Sequence, residues 1–382
     1  MHTSRYAVIG AGLAGASAAW QLATAGHDVT ILEQQGSPAG SMGSSHGSAR
    51  IFRYPYPDQH YVALVRRSAS LWAELETQLG QKLITPTGGV DFGERRNPEL
   101  LARILEKEGI ENEVLSCSQA EERWPQLAFD SSVLWQPQAG VIDAERTVEG
   151  MVQLAVAAGA EVKLSWKVQA VTRSTQGYRI RSGSGETVEA ERVVVAAGGW
   201  LPELLAAVDL PEAFLKSLPQ FQVRQEQAYH FPYRDPTVSW PVLVHKTDAI
   251  QTYGLPGGRD ADFRGHKLAE YNGGKVLPSA AQQDGVVDEA NRRRVIAYAA
   301  RHLPGVVPEP YAETTCLFTS TPTDDFVFDR CEGITVVSPC SGHGAKFAPL
   351  IGVLAAAAAS AASDDAGRAV LPERFLTPWS TH

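Results

Sequence analysis

The sequence predicts an α/β protein in which a second, α+β domain is inserted into a split nucleotide-binding domain. Three buried strands that run into glycines indicate the first domain, and they begin near Tyr6, Val193 and Ile334. Parallel α/β folds use such strand ends to direct a turn or a helix N-terminus at a ligand. The β-rich stretch from Leu218 to Leu317 lacks this pattern and indicates a separate mixed sheet.

Composition limits the class of protein. With 382 residues, 44% of them hydrophobic, the chain can build a core for two or three domains. The formal charge of −9 argues against non-specific nucleic-acid binding, and the basic run Arg292–Arg294 is expected on a solvated helix face. No apolar stretch is long enough to span a bilayer, and we expect no signal peptide. The four cysteines lack C-x-x-C or metal-ligand spacing, so we expect free thiols, no metal and a cytoplasmic protein.

The segment Arg5–Glu33 has the pattern strand, glycine loop, helix, strand. Gly10, Gly12 and Gly15 fit G-x-G-x-x-G: the first allows a tight turn, the second admits a pyrophosphate and the third permits close helix–strand packing. Glu33 can accept hydrogen bonds from both hydroxyls of an adenosine ribose and would repel a 2′-phosphate, which argues against NADP. The segment predicts an adenine dinucleotide, either NAD or FAD, although a tight turn in an ordinary α/β unit could have the same glycines.

A glycine- and serine-rich loop, Gln34 to Ser48, follows this segment and is too long for a plain connection. It leads into Arg50 and Arg53. Spaced by three on a helical turn, these arginines would share a face and could form a joint anion site; the alternative is a pair of surface cations.

The next elements follow from hydrophobic periodicity and breaker residues. We predict helices over Tyr61–Leu79, Asn97–Glu108 and Thr147–Gly159, and strands over Val162–Thr172, Tyr178–Ser182 and Thr187–Glu191. Pro125 ends the element before it, and Trp124 and Trp135 are expected to be core or interface aromatics rather than ligand contacts.

The buried run Val193–Ala197 ends in Gly198 and Gly199, which is the second strand and turn that nucleotide folds place beside the dinucleotide. Combined with the first motif, it predicts a discontinuous nucleotide-binding domain. We assign residues 1–83, 142–217 and 318–382 to that domain, and residues 84–141 and 218–317 to the inserted substrate domain.

The last part of the chain repeats the pattern, because two short strands precede Gly342, Gly344 and an alanine-rich helix that runs to about Ser360. Lys346 is expected in the first turn of that helix. A cation there opposes the helix dipole and costs a few tenths of a kcal/mol to about 1 kcal/mol. An anionic ligand would offset that cost.

Together these residues resemble the monomeric sarcosine oxidase and N-methyltryptophan oxidase group of flavoproteins, within the D-amino-acid-oxidase-like superfamily. The resemblance covers nearly the whole chain and runs through the first glycine motif with Glu33, SHGSARIFR, RWP, VVVAAGGW, YGLP, HKLAEYNGG, TTCLFTSTPTDDF and SGHGAKF. It implies a monomer with a Rossmann-like FAD-binding domain. It also implies oxidation of a secondary amine, an N-alkyl or cyclic amino acid, to an imine while molecular oxygen becomes hydrogen peroxide.

The resemblance further implies that FAD is attached through its 8α-methyl carbon to the thiol of Cys316, although a free cysteine is more often a buried apolar side chain. The implied cofactor-binding residues are Gly10, Gly12, Gly15, Glu33, His46, Gly47, Ser48, Gly198, Cys316, Gly342, His343 and Gly344.

The same resemblance assigns the reacting end of the site. Arg53 and Lys346 match the pair that holds a substrate carboxylate, which suits a planar guanidinium and a point cation, and Tyr253 lines the pocket. Lys267 matches the lysine that promotes reaction with oxygen, since a fixed positive charge stabilises superoxide. Arg50 belongs to the flavin-contacting loop and is grouped with Lys267 as catalytic.

The chain departs from the family at three places. The changes at Tyr271 and in the loop after Tyr253 leave the identity of the amine open, while the change at Ser48-Ala49 affects only the flavin loop. Tyr271, the third expected catalytic residue, stands where the family has a histidine, so a phenol lies beside the substrate amine. Ser48-Ala49 replaces the family's Asp-Thr, and the loop between Tyr253 and Lys267 is longer. Two rivals also stay open: an FAD dehydrogenase that passes electrons to a quinone or carrier protein, and a non-catalytic nucleotide-binding module.

Overall fold

The computed structural model describes residues 3–360 and 372–379. The helices of this part are α1 (Leu13–Thr24), α2 (Gln59–Leu79), α3 (Pro98–Lys107), α4 (Cys117–Arg123), α5 (Ala144–Ala157), α6 (Leu201–Leu205), α7 (Glu212–Ser217), α8 (Glu289–His302) and α9 (Ala348–Ser360). The strands are β1 (Thr3–Ile9), β2 (Val29–Leu32), β3 (Arg50–Phe52), β4 (Ile84–Pro86), β5 (Gly89–Phe92), β6 (Glu113–Leu115), β7 (Val133–Gln136), β8 (Gly140–Ile142), β9 (Glu161–Lys163), β10 (Val168–Ser174), β11 (Gly177–Ser182), β12 (Thr187–Val195), β13 (Gln222–Pro232), β14 (Val242–Lys246), β15 (Gln251–Pro256), β16 (Gly265–Glu270), β17 (Lys275–Leu277), β18 (Ala312–Ser320), β19 (Val327–Cys331) and β20 (Ile334–Ser338). None of these helices is long and apolar enough to cross a membrane.

The first sheet has a parallel core of five strands, β9, β2, β1, β12 and β20, in that order. The first half of β12 pairs instead with antiparallel β11, which carries β10, and β19 runs antiparallel to β20. Helix α1 packs against α5 and α9. Because β1, β2 and β12 are parallel, their carboxyl ends bring Gly10, Glu33 and Ala196 to one edge of the sheet.

The second sheet is mixed. Strands β6, β7, β5, β14, β15, β16 and β13 are successive neighbours, and β17 and β18 also pair with β13. The pair β5–β14 is parallel and the other pairs are antiparallel. A small sheet of β3, β8 and β4 stands beside these two sheets.

The α/β class with an additional mixed sheet is confirmed. Every strand of the first sheet falls within residues 1–83, 142–217 and 318–382, and the second sheet falls within 84–141 and 218–317 except that β18 continues to Ser320. The division into two domains stays a prediction, and residues 361–371 and 380–382 of its last segment lie outside the described residues.

Three element predictions need correction. Val162–Thr172 was expected to be one strand, but residues 164–167 divide it into β9, which pairs with β2, and β10, which pairs with β11. Thr187–Glu191 and Val193–Ala197 were expected to be separate strands, but they form the single strand β12, which changes partner from β11 to β20 without a break. Helix α5 begins at Ala144 rather than Thr147, because the Asp143 side chain caps it by accepting a hydrogen bond from the Arg146 backbone N–H.

The expectation for the basic run is confirmed, and the two tryptophans pack against each other as expected of core aromatics. The three arginines lie on α8 and pair with acids: Arg292 with Glu313, Arg293 with Glu289 and Arg294 with Glu270. Trp124 is buried, and its ring centroid lies 4.9 Å from that of Trp135.

Two glycines of the first loop are required by the backbone. Gly10 has a φ of +101°, and a Cβ at this position would lie 2.6 Å from the carbonyl oxygen of Ala196. A Cβ on Gly15 would lie 1.8 Å from the carbonyl oxygen of Gly10. Because neither residue has a Cβ, α1 can start close to the ends of β1 and β12.

Replacing Gly15 with alanine is expected to destabilise the protein, although the same change inside an ordinary helix stabilises it by about 1 kcal/mol. Overpacking typically costs about 1–3 kcal/mol, and here the obstacle is backbone that cannot rotate away. We therefore expect the melting temperature to fall by several degrees in differential scanning calorimetry. Gly36→Ala is the matched control, because its Cβ would come no closer than 3.9 Å to a neighbour. An unchanged melting temperature for Gly15→Ala would contradict this packing.

Candidate active site

A cavity of about 730 Å³ extends from the carboxyl edge of the first sheet to one face of the second sheet. Its lining includes the predicted residues Gly10, Gly12, Glu33, Arg50, Arg53, Gly198, Tyr253, Lys267, Tyr271, Cys316, Gly342, His343, Gly344 and Lys346. Residues that are distant in the chain therefore share one space. The predicted residues Gly15, His46, Gly47 and Ser48 lie outside this lining.

Glu33 lies at the end of the cavity formed by the carboxyl edge of the first sheet. Its carboxylate accepts hydrogen bonds from the backbone N–H groups of Ala11 at 2.7 Å and Gln35 at 2.8 Å. Burial raises the pKa of this carboxyl, although the backbone hydrogen bonds act in the opposite direction. The loop after β2 closes on the same end, where Ser45 Oγ accepts a hydrogen bond from the Leu13 N–H at 3.0 Å.

The arginine pair after this loop corrects a prediction. Arg50–Phe52 is the extended strand β3 rather than a helical turn, so Arg50 and Arg53 do not share a helix face. The guanidinium of Arg50 donates at 2.9 Å to three carbonyl oxygens of its own loop, those of Ser44, His46 and Ala49. Arg50 therefore fixes the conformation of this loop at the cavity wall through these three hydrogen bonds.

Ser48, Gly47 and His46 support the cavity wall from behind. The Ser48 hydroxyl donates to the Asp260 carboxylate and accepts from the Asp260 N–H at 2.9 Å, so it is occupied within the protein. A Cβ on Gly47 would lie 2.5 Å from the same carboxylate. Burial lowers the pKa of His46 to about 4, which keeps its ring neutral. These three residues lie outside the lining of the cavity, and their contact with the cofactor stays a prediction.

Lys267 and Cys316 both line the cavity, and each lies near the charge of Arg50. The Lys267 ammonium is buried and lies 3.5 Å from the carbonyl oxygen of Ala49. Burial, followed by the neighbouring Arg50 charge, lowers the pKa of Lys267 to about 8. Burial raises the pKa of the Cys316 thiol, while Arg50 and Lys267 favour its thiolate. A second thiol, Cys340, also lines the cavity.

Lys346 lies at the far end, in the 3₁₀ turn Gly344–Phe347 that precedes α9. Its Nζ donates to the Tyr56 hydroxyl at 3.0 Å and to the carbonyl oxygen of His343 at 2.8 Å. Its own carbonyl oxygen accepts hydrogen bonds from Ser68 and Trp72 of α2, both at 2.8 Å. Burial lowers the pKa of Lys346 well below its ordinary value. The lysine is therefore held from both ends in a site where an anion would favour its charged form.

Tyr56 links Lys346 to His343. His343 Nε2 lies 3.0 Å from the carbonyl oxygen of Asp324, so this nitrogen carries the proton. Nδ1 then accepts a hydrogen bond from the Tyr56 hydroxyl at 2.9 Å. Burial lowers the pKa of His343 to about 3, which agrees with a neutral ring.

Arg53 shares a buried carboxylate with Arg96. Asp91 Oδ1 lies 2.7 Å from Arg96 Nε and 3.7 Å from Arg53 Nη1. Both arginines also donate to the carbonyl oxygen of Pro55. The two guanidinium groups are therefore fixed by one acid and one carbonyl.

The second sheet supplies the remaining wall at this end. Tyr271 donates to the carbonyl oxygen of Ser341 at 3.3 Å, and the ammonium of Lys246 lies 4.8 Å from the centre of the Tyr271 ring. Burial raises the pKa of both Tyr253 and Tyr271, so both phenols stay protonated at neutral pH. These tyrosines can donate a hydrogen bond but cannot serve as a base there.

Residues that sequence reasoning missed are Tyr56, Asp91, Arg96, Lys246 and Asp260. Of these residues, Lys246 could have been found from the sequence. In the buried run VLVHK, alternation places Val244 and Lys246 on the same face, and both line the cavity. The others lie in turns or short strands whose partners are far away in the chain.

A separate polar cluster lies on the opposite side of β14. Asp130, His245 and His302 can each offer a metal-ligating atom, all within 4.8 Å of one another. Both ring nitrogens of His245 are engaged, Nδ1 with the Tyr298 hydroxyl at 2.8 Å and Nε2 with Asp130 at 3.1 Å. None of these residues lines the cavity.

Comparisons with known proteins give a family model and a relative that match most of the chain, and solved structures with a similar fold. A family model described as FAD dependent oxidoreductase matches residues 5–358. The N-methyl-L-tryptophan oxidase of Yersinia pestis (strain Pestoides F) is 32% identical over 359 residues, which cover 91% of this chain and 93% of that protein. Among solved structures, NikD, described as an unusual amino acid oxidase essential for nikkomycin biosynthesis, has a TM-score of 0.84 at 23% identity over 99% and 98% of the two chains. Glycine oxidase from Geobacillus kaustophilus has a TM-score of 0.74 at 20% identity over 98% of each.

Proposed function

The chain belongs to the family of FAD-dependent oxidoreductases, and from this premise we propose that it oxidises the carbon–nitrogen bond of a secondary amino acid to an imine. We propose molecular oxygen as the electron acceptor and hydrogen peroxide as the second product. The observation that carries the proposal is the convergence of Arg53 and Lys346 at one end of a cavity whose other end holds the glycine motif and Glu33.

The residues present fit FAD. The cavity volume of about 730 Å³ lies within the roughly 300–1,000 Å³ that is usual for ligand sites. Gly12 leaves a cradle at the start of α1, where a Cβ would come 2.9 Å from Ser45 Oγ. A pyrophosphate would be held there by the α1 N-terminus, and Glu33 would hold the ribose. When bound, FAD supplies the two-electron acceptor that no side chain of the chain can provide.

Arg53 and Lys346 would bind and orient the substrate carboxylate. A planar guanidinium can bind both carboxylate oxygens, and the ammonium adds a point charge. Asp91 and Pro55 fix Arg53, while Tyr56 and α2 fix Lys346. Because both cations are held before substrate arrives, little side-chain freedom is lost on binding.

The same cations would prepare the substrate amine. An amine can be oxidised only when its nitrogen lone pair is free, and nearby positive charges lower the pKa of a bound ammonium group. With their pKa values raised by burial, Tyr253 and Tyr271 are not bases for this proton. We therefore expect the site to select the neutral amine rather than to deprotonate it with a side chain.

Lys267 would favour oxygen over a carrier protein. Its ammonium lies inside the cavity, where a fixed positive charge stabilises the negative charge that oxygen gains with its first electron. Arg50 is proposed to hold the loop beside it rather than to touch the substrate.

Cys316 is proposed to attach FAD covalently. It is a cavity-lining thiol, and Arg50 and Lys267 favour the thiolate needed for bond formation. Cys316→Ala should therefore release its yellow colour into the supernatant when the protein is precipitated with trichloroacetic acid, whereas the parent keeps the colour in the pellet. Cys340→Ala is the matched control, because it removes the other thiol of the same cavity and should keep the attachment. Colour in the parent's supernatant would contradict the covalent link.

The four cysteines are free thiols, which supports a reducing compartment and a cytoplasmic location. A monomer remains our expectation. If purified protein stayed colourless and bound no added FAD, the proposed function would be wrong.

A further inference from the structure

Four cationic side chains line the substrate end of the cavity, although one amino-acid carboxylate needs only two of them. They are Arg53, Arg96, Lys246 and Lys346. Building on the proposed function, we propose that the substrate carries a second carboxylate and that Lys246 and Arg96 bind it. The substrate class is then an N-alkyl acidic amino acid or a comparable dicarboxylic secondary amine.

A count of charges supports a substrate with two negative groups. Two carboxylates face the four cations: Asp91, which is buried between the arginines, and Asp324, which is exposed at the rim of the cavity. Four positive and two negative charges leave an excess of two. The carboxylate held by Arg53 and Lys346 removes one of them. A second carboxylate would remove the other, since Arg96 and Lys346 are buried and Arg53 and Lys246 half-buried, and charges withdrawn from water favour an ionic partner.

Other acids near this end are already engaged. Asp58 and Asp325 form a separate ion-pair group with Arg374, at 2.6 Å and 2.7 Å. The charges that act on Lys246 are those of Arg96, Arg53, Asp91 and Asp324. These acids therefore do not neutralise the excess of two positive charges in the cavity.

The proposed function assigns no role to Lys246, although this lysine lines the cavity. Strand alternation directs it into the cavity, while its neighbour His245 stacks on Phe92 on the other side of the sheet. Across the described ranges its ammonium has no hydrogen-bond acceptor, and its contact is the face of Tyr271 at 4.8 Å. A cation–π contact of about 0.5–2 kcal/mol does not neutralise the charge of this half-buried lysine. Burial and the two arginines lower the pKa of Lys246 to about 8, so it is still mostly protonated at neutral pH.

Arg96 can join Lys246 in binding. Its Nε and Nη2 are directed to Asp91 and Pro55, which fix the plane of the guanidinium. Its Nη1 has no partner within the described part of the chain. Guanidinium groups held in this way bind carboxylates with defined geometry.

Two matched pairs of ligands test the proposal on the FAD-loaded protein. The first pair, glutarate and glutaramate, has equal size, differs by one negative charge and cannot be oxidised as an amine, so isothermal titration calorimetry measures binding alone. The second pair, N-methylglutamate and N-methylglutamine, reports anaerobic bleaching of the flavin. We expect the diacid of each pair to bind or react at least about 10-fold better, as charge-assisted hydrogen bonds allow.

Variants assign that preference to Lys246. Lys246→Met should remove it in both assays, and Lys246→Arg should retain most of it. Lys216→Met is the control, because Lys216 pairs with Glu212 on the exposed surface of α7 and should leave the preference unchanged. Equal or better binding of glutaramate, binding of neither ligand, or a preference that survives Lys246→Met would each overturn the proposal. Bleaching by N-methylglutamine alone would overturn it while leaving the proposed function intact, whereas absence of bleaching by any secondary amine would count against the proposed function.

Discussion

Replacing Lys267 with methionine is expected to slow reoxidation of the pre-reduced protein by about 10²- to 10³-fold, the usual loss when one preorganised charge or donor is removed. Methionine keeps much of the length of the buried side chain and removes its charge. Reduction by the substrate should change much less, because the groups that act on Lys267 are Arg50, Cys316 and Asp260 rather than the cations proposed to bind the substrate. Stopped-flow mixing of reduced protein with oxygen separates the two steps.

The pH dependence provides the internal control for this prediction. Burial and Arg50 lower the pKa of Lys267 to about 8, so the ammonium is charged below that pH and loses its proton above it. The parent should therefore react with oxygen more slowly as pH rises through about 8, and Lys267→Met should show no such change. Lys216→Met should behave as the parent. A Lys267→Met protein that reoxidised as fast as the parent would refute the oxygen role.

Removing either of the two cations that we propose to bind the substrate carboxylate, Arg53 and Lys346, is expected to have the second large effect. Arg53→Met and Lys346→Met should each lower kcat/KM by about 10- to 100-fold, because each loses a charge-assisted hydrogen bond worth about 1.5–3 kcal/mol. If both side chains hold the same carboxylate, the double variant should lose less than the product of the single effects. Steady-state oxygen consumption with a good secondary amino acid measures all three.

A substrate that lacks the carboxylate distinguishes loss of carboxylate binding from damage to the fold in the Arg53 and Lys346 variants. The decarboxylated amine should be a poor substrate of the parent, and the variants should oxidise it nearly as well as the parent does. Arg66→Met, on the exposed face of α2, is the matched surface control. If the variants lost activity equally on both substrates, Arg53 and Lys346 would support the fold of the site rather than bind the substrate carboxylate.

The parts of the site that could be predicted are those encoded by neighbouring residues. The segment Arg5–Glu33 carries its own strand, turn and helix, so the turn at Gly10, the close packing at Gly15 and the position of Glu33 after β2 could be predicted from spacing alone. The contact of these residues with FAD stays a prediction. Lys346 was predicted to need an anion from the direction of the helix dipole, and it does lie at the cavity just before α9.

The parts that could not be predicted depend on pairing between distant strands and turns. Asp91 reaches Arg53 only because β5 pairs with β14, and Lys246 enters the same cavity through that register. The error at Arg50 has the same origin. Its spacing to Arg53 suited a helix, but pairing with β8 makes the segment extended. Local sequence carries no record of such partners.

The central claim is that this chain oxidises a secondary amino acid by means of bound FAD. Mixing the purified yellow protein with a panel of N-methyl and cyclic amino acids without oxygen, and then admitting air, tests it in one measurement. We expect the flavin absorbance to bleach with at least one acidic member of the panel and to return in air with formation of hydrogen peroxide. A protein that carries FAD and stays yellow with every secondary amine in the panel would contradict the claim.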